Sequence, residues 1–398
     1  MKELIRKKDE LRLHFLIFEK YTEEELVLTK SKLLTSLGHR VSVFISEKID
    51  NIIHEDLLKL KINPFVLKVD LFETIKIIDN FIIKNPVDLI FFTRFSPVSF
   101  HEFRIYKEFV DRHQVCTLID SFDRWFKKMP PIKFNGWKIV KRSSVLDWFF
   151  CKSMMRSFSC YYVSDPHVNS KNPLKLLIEE KTNKFVFDFP FKYMVNKYNP
   201  LISSNETIHF IVPGAIDNIR RDYFMLLKIF ASKEFIDKKW KLILLGRPIG
   251  NYGNKVVQYC KEINKKNNND KIVWMDGYIS KTLFDEYMQS SDYILGPILT
   301  NKYKYGKDSG VIYDIFFYNK IGVINDKYFY NQNLPERDVI VKYQNPKELR
   351  IILSSMIDKS FSYNNMGENL NKINTIFNKK NYLNSLRLNL NRILFQKT

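Results

Sequence analysis

Residues 13–45, LHFLIFEKYTEEELVLTKSKLLTSLGHRVSVFI, decide the fold class. The apolar run Leu13–Phe18 predicts a buried strand, and Val41–Ile45 predicts a second one. Between them, Thr22 followed by three glutamates is a helix-start signal, leucines follow at helical spacing, and Gly38 ends the helix. A strand, a helix and a strand within about 30 residues form a βαβ unit, in which the two strands are parallel.

The same alternation continues along the chain. Further strands are predicted at Val87–Phe92, Val115–Ile119, Cys160–Ser164, Phe185–Asp188, Ile208–Val212, Trp240–Leu245, Ile272–Trp274, Asp292–Leu295 and Gly322–Ile324. Helices are predicted at Val98–Asp111, Tyr223–Ala231, Lys281–Gln289 and throughout the chain after Pro346. The polar stretch Tyr198–Thr207 is the best linker between the two series.

We therefore expect an α/β protein of two Rossmann-like domains, whose mostly parallel sheets face each other across a cleft. Residues 1–200 form the first domain, residues 201–380 the second, and a helical tail follows, of which residues 380–398 pack back on the first domain. The length of 398 residues agrees, because a domain has roughly 150 residues.

Composition narrows the class of protein. Hydrophobic residues make up 45% of the chain, which is typical of folded globular proteins. The net charge of +20 favours anionic partners such as nucleotide phosphates, nucleic acid or an anionic membrane, although a general bias toward lysine would also produce it. The four cysteines lack metal-binding spacing and indicate free thiols in a reducing cytosol. No apolar run is long enough for a signal peptide or a membrane span, so we expect a cytoplasmic protein.

Two glycine turns of the second half point to an anion site. In Val212–Tyr223 a strand ends at a Pro-Gly turn, and Arg220 and Arg221 follow Gly214 just before a helix. Two guanidinium groups at a helix N-terminus oppose its dipole, and a bound anion would remove that conflict; the structural alternative is that one arginine pairs with a nearby aspartate. The second turn follows a strand at Gly246, where Arg247 adds charge.

A third loop completes the candidate site. Ser309 is a good N-cap, and Gly310 leaves the first helical turn open, so that the backbone N–H groups there can receive a diphosphate. Asp314 lies roughly 7–8 Å further along the helix, a reach that suits a ribose hydroxyl. The alternative is that Asp314 is an ordinary solvated acid.

These motifs resemble, in order and spacing, the GT-B fold glycosyltransferases, and in particular the retaining family 4 group. That family has two glycine turns with basic residues, then a Gly-Tyr pair, a Ser-Asp pair before a strand ending in Pro, and a Glu-x7-Glu helix. Here Gly277-Tyr278, Ser291-Asp292 with Pro297, and Asp314, eight residues after Gly306, take those places. The segment Leu37–Val43 and the tail from Met366 are similar as well. The chain departs where Gly306 replaces the first glutamate.

The resemblance implies a hexosyl-type glycosyltransferase that uses a UDP- or GDP-linked sugar and no cofactor. It assigns Gly214, Arg220, Arg221, Arg247, Tyr278, Pro297, Ser309, Gly310 and Asp314 to the donor site. Arginines and helix N–H groups would stabilise the leaving diphosphate, so no metal ion is required. Consistently, the sequence has no Asp-x-Asp motif.

The acceptor side is less defined. If the reaction inverts configuration, a base from the first domain deprotonates the acceptor; Asp120 is the leading candidate, and Asp123 and Glu19 are weaker ones. Residues 124–156 hold nine Lys or Arg against one acid, together with three tryptophans. Cations beside aromatic residues favour a peripheral membrane contact or a lipid-pyrophosphate acceptor, through Trp125, Lys127, Lys128, Trp137, Lys141, Arg142 and Trp148. A basic loop with its aromatic residues in the core is the alternative.

The leading hypothesis is a transferase in the synthesis of bacterial surface polysaccharide or glycoconjugates, at the inner face of the plasma membrane. A nucleotide-sugar epimerase or hydrolase, a non-catalytic GT-B-like binding protein and, less favoured, a nucleic-acid-binding protein are the alternatives.

Overall fold

The computed structural model describes residues 12–20, 23–68, 70–97, 99–119, 125–126, 142–163, 173–189, 206–218, 220–277, 279–299, 309–331, 340–362 and 379–395. They fall into two compact units. Unit 1 comprises the described residues within 1–192 and 380–398, and unit 2 comprises those within 193–379.

Unit 1 is a doubly wound α/β domain. Its strands are β1 (His14–Glu19), β2 (Arg40–Ser46), β3 (Phe65–Leu67), β4 (Leu89–Phe92), β5 (Val115–Leu118), β6 (Cys160–Val163) and β7 (Val186–Asp188). Its helices are α1 (Glu24–Ser36), α2 (Glu47–Lys59), α3 (Leu71–Lys84), α4 (Phe100–Arg112), α5 (Arg142–Met154) and α6 (Pro173–Thr182). The sheet order is β3-β2-β1-β4-β5-β6-β7, and every pair in it is parallel.

Unit 2 repeats this architecture. Its strands are β8 (Ile208–Pro213), β9 (Trp240–Leu245), β10 (Ile272–Trp274), β11 (Tyr293–Gly296), β12 (Ile321–Asn325) and β13 (Ile340–Tyr343). Its helices are α7 (Tyr223–Phe230), α8 (Gly250–Lys266), α9 (Lys281–Ser290), α10 (Gly310–Phe317) and α11 (Pro346–Ile357), with short 3₁₀ segments at Lys233–Phe235 and Asp326–Asn331. The order β10-β9-β8-β11-β12-β13 is again all parallel. These two sheets confirm the predicted fold class.

The strands form where the sequence is apolar without alternation. All six residues of β1 and all four of β4 are buried, because helices cover both faces of a parallel sheet. One face of the unit 1 sheet packs on α3, α4, α5 and α6 through a continuous core that includes Phe92, Tyr106, Phe150 and Tyr161. The turn after α1 depends on Gly38, whose φ of +84° suits glycine.

The last helix, α12 (Lys379–Phe395), returns to unit 1. Its side chains Tyr382, Leu386 and Leu390 are buried at helical spacing, and the Arg392 guanidinium lies 4.9 Å from the centre of the Phe185 ring. In the described part of the chain, no helix is both long enough and apolar enough to cross a bilayer.

Candidate functional site

The candidate site lies where the strand order of unit 2 reverses, between β8 and β11. Doubly wound sheets bind ligands at such a switch point, outside the carboxyl ends of the strands. The chain that leaves β8, the chain that leaves β9 and the chain that leaves β11 meet there, since these strands are neighbours in the sheet.

Two glycines bring the first two of these turns into contact. The Gly214 N–H donates to the carbonyl of Leu245 (2.9 Å), and Gly214 adopts a φ of +95°. A Cβ atom at Gly246 would lie 2.2 Å from the carbonyl oxygen of Gly214, so any other residue there would separate the two turns. A Cβ atom at Gly214 would lie 2.9 Å from Nη2 of Arg221, so the missing side chain makes room for the guanidinium.

Arg221 is held at the switch point by its backbone. Its segment pairs antiparallel with the loop after β11 through an Arg221–Ile298 bridge. The Asp222 N–H donates to the Pro297 carbonyl (2.8 Å), and the Leu299 N–H donates to the Arg220 carbonyl (2.9 Å). These backbone hydrogen bonds fix the position of the Arg221 backbone, from which its side chain extends.

The Arg221 guanidinium is buried, and two of its three nitrogen atoms have no hydrogen-bond acceptor within the described residues. Only 6% of the residue is exposed, and its Nε and Nη1 atoms have no partner within the described residues. A buried charged group without partners costs several kcal/mol, so proteins seldom retain one without a function. An anion at this place would supply the missing acceptors and the missing charge.

Arg220, the neighbouring candidate, is arranged differently. It forms an ion pair with Asp217 at 2.7 Å, and 48% of its side chain is exposed. Asp222, the other nearby acid, accepts from the Met225 N–H as the N-cap of α7. Arg220 therefore pairs with a nearby aspartate, as the structural alternative expects, and only Arg221 indicates a bound anion.

The N-terminus of α10 lies beside the end of β11. A Cβ atom at Gly296 would be 3.2 Å from Cγ1 of Val311 in the first turn of α10. Ser309 occupies the N-cap position, but its hydroxyl does not cap the helix, and its N–H donates to the Tyr328 hydroxyl (2.9 Å). A Cβ atom at Gly310 would meet no described atom within 4 Å, so the described residues leave this helix end open.

The remaining predicted donor residues vary in their placement. Asp314 is buried on α10, with 6% exposure, so it is not a solvated surface acid. Arg247 is exposed, and its carbonyl accepts from the Ile216 N–H. The Pro297 carbonyl accepts one of the backbone hydrogen bonds that position Arg221. Tyr278 lies outside the described residues.

Tyr223 supports the site and is missing from the sequence prediction of donor residues. Its hydroxyl donates to the carbonyl oxygens of Gly214 (3.2 Å) and Ala215 (3.1 Å), which stabilises the glycine turn. Burial is the main cause that raises the pKa of Tyr223, to about 12, so the hydroxyl keeps the proton that it donates. A tyrosine two residues after Arg221 was the available signal.

On the acceptor side, one prediction is wrong. Trp125 is completely buried and packs against Phe95, Phe158 and Tyr161, so it belongs to the core of unit 1 and not to a membrane contact. Trp148 is partly buried on α5. Asp120, Asp123, Lys127, Lys128, Trp137, Lys141 and the side chain of Arg142 lie outside the described residues.

Unit 1 buries a lysine that the sequence analysis missed. Lys30 on α1 is fully buried, its Nζ has no hydrogen-bond partner within the described residues, and it lies 4.5 Å from the centre of the Tyr162 ring and 5.0 Å from that of Phe189. Burial lowers the pKa of Lys30 to about 7, against a smaller opposing effect of Glu19. Glu19 itself is 1% exposed at the end of β1, where the strand order of unit 1 reverses between β1 and β4.

No protein-family model and no curated protein sequence matches the chain. Solved structures match it over nearly its whole length. HepE of Anabaena, solved with UDP and glucose, has a TM-score of 0.65 at 10% sequence identity, over 95% of this chain and 99% of that one. Sucrose-phosphate synthase of Thermosynechococcus elongatus has a TM-score of 0.64 at 12% identity, over 97% and 100%. A glycosyltransferase of Rickettsia africae has a TM-score of 0.62 at 12% identity, over 97% and 100%.

At sequence identities this low, structural similarity establishes the architecture only, and the chemistry follows from the residues of this chain. The all-parallel seven- and six-stranded sheets, the returning last helix and these neighbours together show that the protein has the GT-B fold.

Proposed function

We propose that the protein is a glycosyltransferase that takes a sugar from a nucleoside-diphosphate donor bound by unit 2. One observation carries the proposal: the Arg221 guanidinium is buried at the switch point of the sheet, and its Nε and Nη1 atoms have no partner within the described residues. A diphosphate suits this place because it is doubly charged and rich in acceptor oxygens.

The same groups account for catalysis. When the glycosidic bond breaks, the leaving nucleoside diphosphate gains negative charge, and the sugar passes through an oxocarbenium-like state. Arg221, together with the N–H groups at the open start of α10, would stabilise that charge more strongly in the transition state than in the ground state. Asp314, buried on α10, would hold a ribose hydroxyl. This arrangement supplies positive charge without a metal ion or cofactor, so we expect activity in the presence of a chelator.

UDP and GDP are the expected nucleotides, with a hexosyl group as the transferred sugar. The complex of HepE with UDP and glucose supports this expectation for a chain of the same fold. The acceptor is a glycan or its lipid-linked precursor in the synthesis of bacterial surface polysaccharide or glycoconjugates. Asp120 remains the predicted acceptor base if configuration inverts, and the buried Glu19 at the unit 1 switch point is the alternative.

A cavity in unit 1 supports a lipid-linked acceptor and attachment to the cytoplasmic face of the membrane. This α5–α6 cavity has a volume of about 560 Å³ and is lined by Phe126, Lys152, Ser153, Met155, Arg156, Leu177 and Lys181. Three of these side chains are cations and none is an acid. Nearby on the same two helices, Phe149 and Leu176 expose 43% and 54% of their surface. Cations beside apolar groups are what an anionic bilayer attracts.

Donor binding is tested by thermal shift over UDP, GDP and their hexose conjugates. We expect at least one nucleotide to raise the melting temperature of the full chain, because a ligand that binds only the folded state stabilises it. Arg221→Ala should abolish most of that rise, whereas Arg220→Ala, the neighbouring arginine with its own ion pair, should retain it. If no nucleotide shifts melting, or if both variants behave alike, the donor site is wrong.

Membrane attachment is tested by flotation with vesicles of phosphatidylcholine alone or with added phosphatidylglycerol. We expect the protein to float only with the anionic vesicles, and Lys152→Glu/Arg156→Glu to abolish flotation. Lys265→Glu/Lys266→Glu, which reverses two exposed charges on unit 2, is the matched control. Equal loss in both variants would indicate attraction by the overall charge of the protein and not by this cavity.

The alternative activity on the same fold is a nucleotide-sugar epimerase or hydrolase, which also binds the donor. Turnover of the sugar nucleotide without any acceptor would favour it, and donor binding without turnover under any condition would favour a non-catalytic protein.

A further inference from the structure

A second cavity of unit 1 lies at the carboxyl ends of its first three strands. This β1–β3 cavity has a volume of about 310 Å³. Its polar lining is formed by Lys20, Ser46, Glu47, Lys48, Lys68 and Thr74. Ligand pockets have volumes from roughly 300 Å³ upward, so it can receive a group of the size of a sugar phosphate.

The three lysines come from three different strand ends. Lys20 follows β1, Lys48 lies in the first turn of α2 directly after β2, and Lys68 follows β3. Because these strands are neighbours in the sheet, the fold itself brings the three cations to one place. A cluster of like charges is unfavourable unless an anion accompanies it.

Acids of the protein neutralise this cluster only in part. Lys68 pairs with Glu47 at 3.3 Å, and both side chains are more than half exposed. Lys20 pairs with Glu102 at 3.4 Å, and Lys48 has no carboxylate partner within the described residues. Exposed ion pairs contribute only about 0–1 kcal/mol, so a phosphate can replace them at little cost.

The Ser46 hydroxyl also points to a ligand. It occupies the N-cap position of α2 but makes no capping bond, and its Oγ is buried without a hydrogen-bond partner within the described residues. An unsatisfied buried hydroxyl is unfavourable, and a hydrogen bond donated by it to a phosphate oxygen would remove that cost. The start of α2, a 13-residue helix, adds N–H groups and the positive end of its dipole.

We propose that the β1–β3 cavity binds a phosphoryl group carried by the acceptor of the transfer reaction. The inference rests on the proposed function, because it assigns the acceptor to unit 1. It adds the chemical class of that acceptor: a phosphorylated sugar or a lipid-linked pyrophosphate, as opposed to a neutral glycan.

The test measures binding by isothermal titration calorimetry in the full-length Arg221→Ala variant, so that the donor site contributes little to the signal. The probes are glucose 6-phosphate, glucose and farnesyl diphosphate. We expect glucose 6-phosphate or farnesyl diphosphate to bind and glucose not to bind. The tighter of the two phosphorylated probes identifies the source of the phosphoryl group.

Adding Lys48→Ala/Lys68→Ala should weaken that binding about tenfold, because two charge-assisted contacts to the phosphate are lost and solvent screens both of them. Ser46→Ala should weaken it by a smaller factor without lowering the melting temperature, because the hydroxyl makes no bond in the free protein. Lys59→Ala, at the far end of the same helix and 73% exposed, is the control and should bind like the parent.

Phosphorylated probes that bind no better than glucose, or equally well after Lys48→Ala/Lys68→Ala, would overturn the inference. UDP binding to the wild-type protein is measured in parallel. If UDP binds and the phosphorylated probes do not, only this inference fails; if UDP does not bind, the proposed function fails, whatever the probes do.

Discussion

Each unit buries a basic side chain with nitrogen atoms that lack partners within the described residues: Nζ of Lys30 in unit 1, and Nε and Nη1 of Arg221 in unit 2. The chemistry of the two side chains differs. An arginine cannot lose its charge in a protein, so its burial without a partner implies a missing anion. A lysine can become neutral, and burial lowers the pKa of Lys30 to about 7, so that the charged and the neutral forms are both populated near neutral pH. A buried basic group without partners therefore predicts a bound anion for Arg221 in unit 2, and a pH-dependent loss of charge for Lys30 in unit 1.

The largest expected effect tests the lysine. In the unfolded chain Lys30 has a pKa of 10.5, and folding lowers it to about 7, so between these values the unfolded state binds more protons. The free energy of unfolding therefore rises with pH across this window. Below about pH 7 the folded protein bears the full cost of burying the charged lysine. We expect Lys30→Met to stabilise the protein at pH 7 by on the order of 3 kcal/mol, and by much less at pH 10.

Denaturant unfolding of both proteins at the two pH values measures this difference, and comparing the two cancels the titration of all other groups. A stability difference that does not depend on pH would show that Lys30 stays charged. UDP affinity should be the same in both proteins, because Lys30 lies in unit 1.

Arg221→Met tests the other half of the comparison. We expect the affinity for UDP to fall about 100-fold, which is about 2.7 kcal/mol, while the unliganded protein becomes more stable, because a buried unpaired charge is removed. Calorimetric titration and melting without ligand measure the two effects. A variant that loses stability as well would mean that the guanidinium already has a partner in the free protein.

A smaller effect is expected at Gly310. Alanine there meets no atom of the described residues and favours the helix, so stability should stay equal or rise by up to about 1 kcal/mol. If the diphosphate lies at the start of α10, the new methyl group collides with it, and UDP affinity falls about tenfold. Unchanged affinity would place the diphosphate elsewhere.

The smallest effect belongs to Arg220. Its ion pair with Asp217 is half exposed, and such pairs contribute about 0–1 kcal/mol. We expect Arg220→Ala to change the melting temperature and UDP affinity little. A loss as large as that of Arg221→Met would mean that the two arginines act together.

The strands were predictable from sequence where they are long and apolar, as in Trp240–Leu245, which is found with the predicted bounds. The strands Phe65–Leu67 and Ile340–Tyr343, of three and four residues at sheet edges, were not predicted. The two glycine turns and the arginine segment of the site followed from their positions after strands.

Side-chain direction could not be read from sequence. Arg220 and Arg221 are adjacent and chemically identical, and only the pairing of Arg221 with Ile298 decides which one turns inward. Trp125 sits in a basic segment, whose composition does not reveal that its indole packs in the core. Lys30 had a usable signal: it lies four residues from both Leu26 and Leu34, within the apolar stripe of α1.

The return of α12 to unit 1 has a consequence for synthesis. Unit 2 is formally an insertion, and it emerges from the ribosome complete while unit 1 still lacks its last helix. With Leu386 and Leu390 at 3% and 1% exposure, the surface that α12 covers stays uncovered until this helix has been synthesised. We expect unit 2 to mature first on the ribosome, although its sequence comes later in the chain.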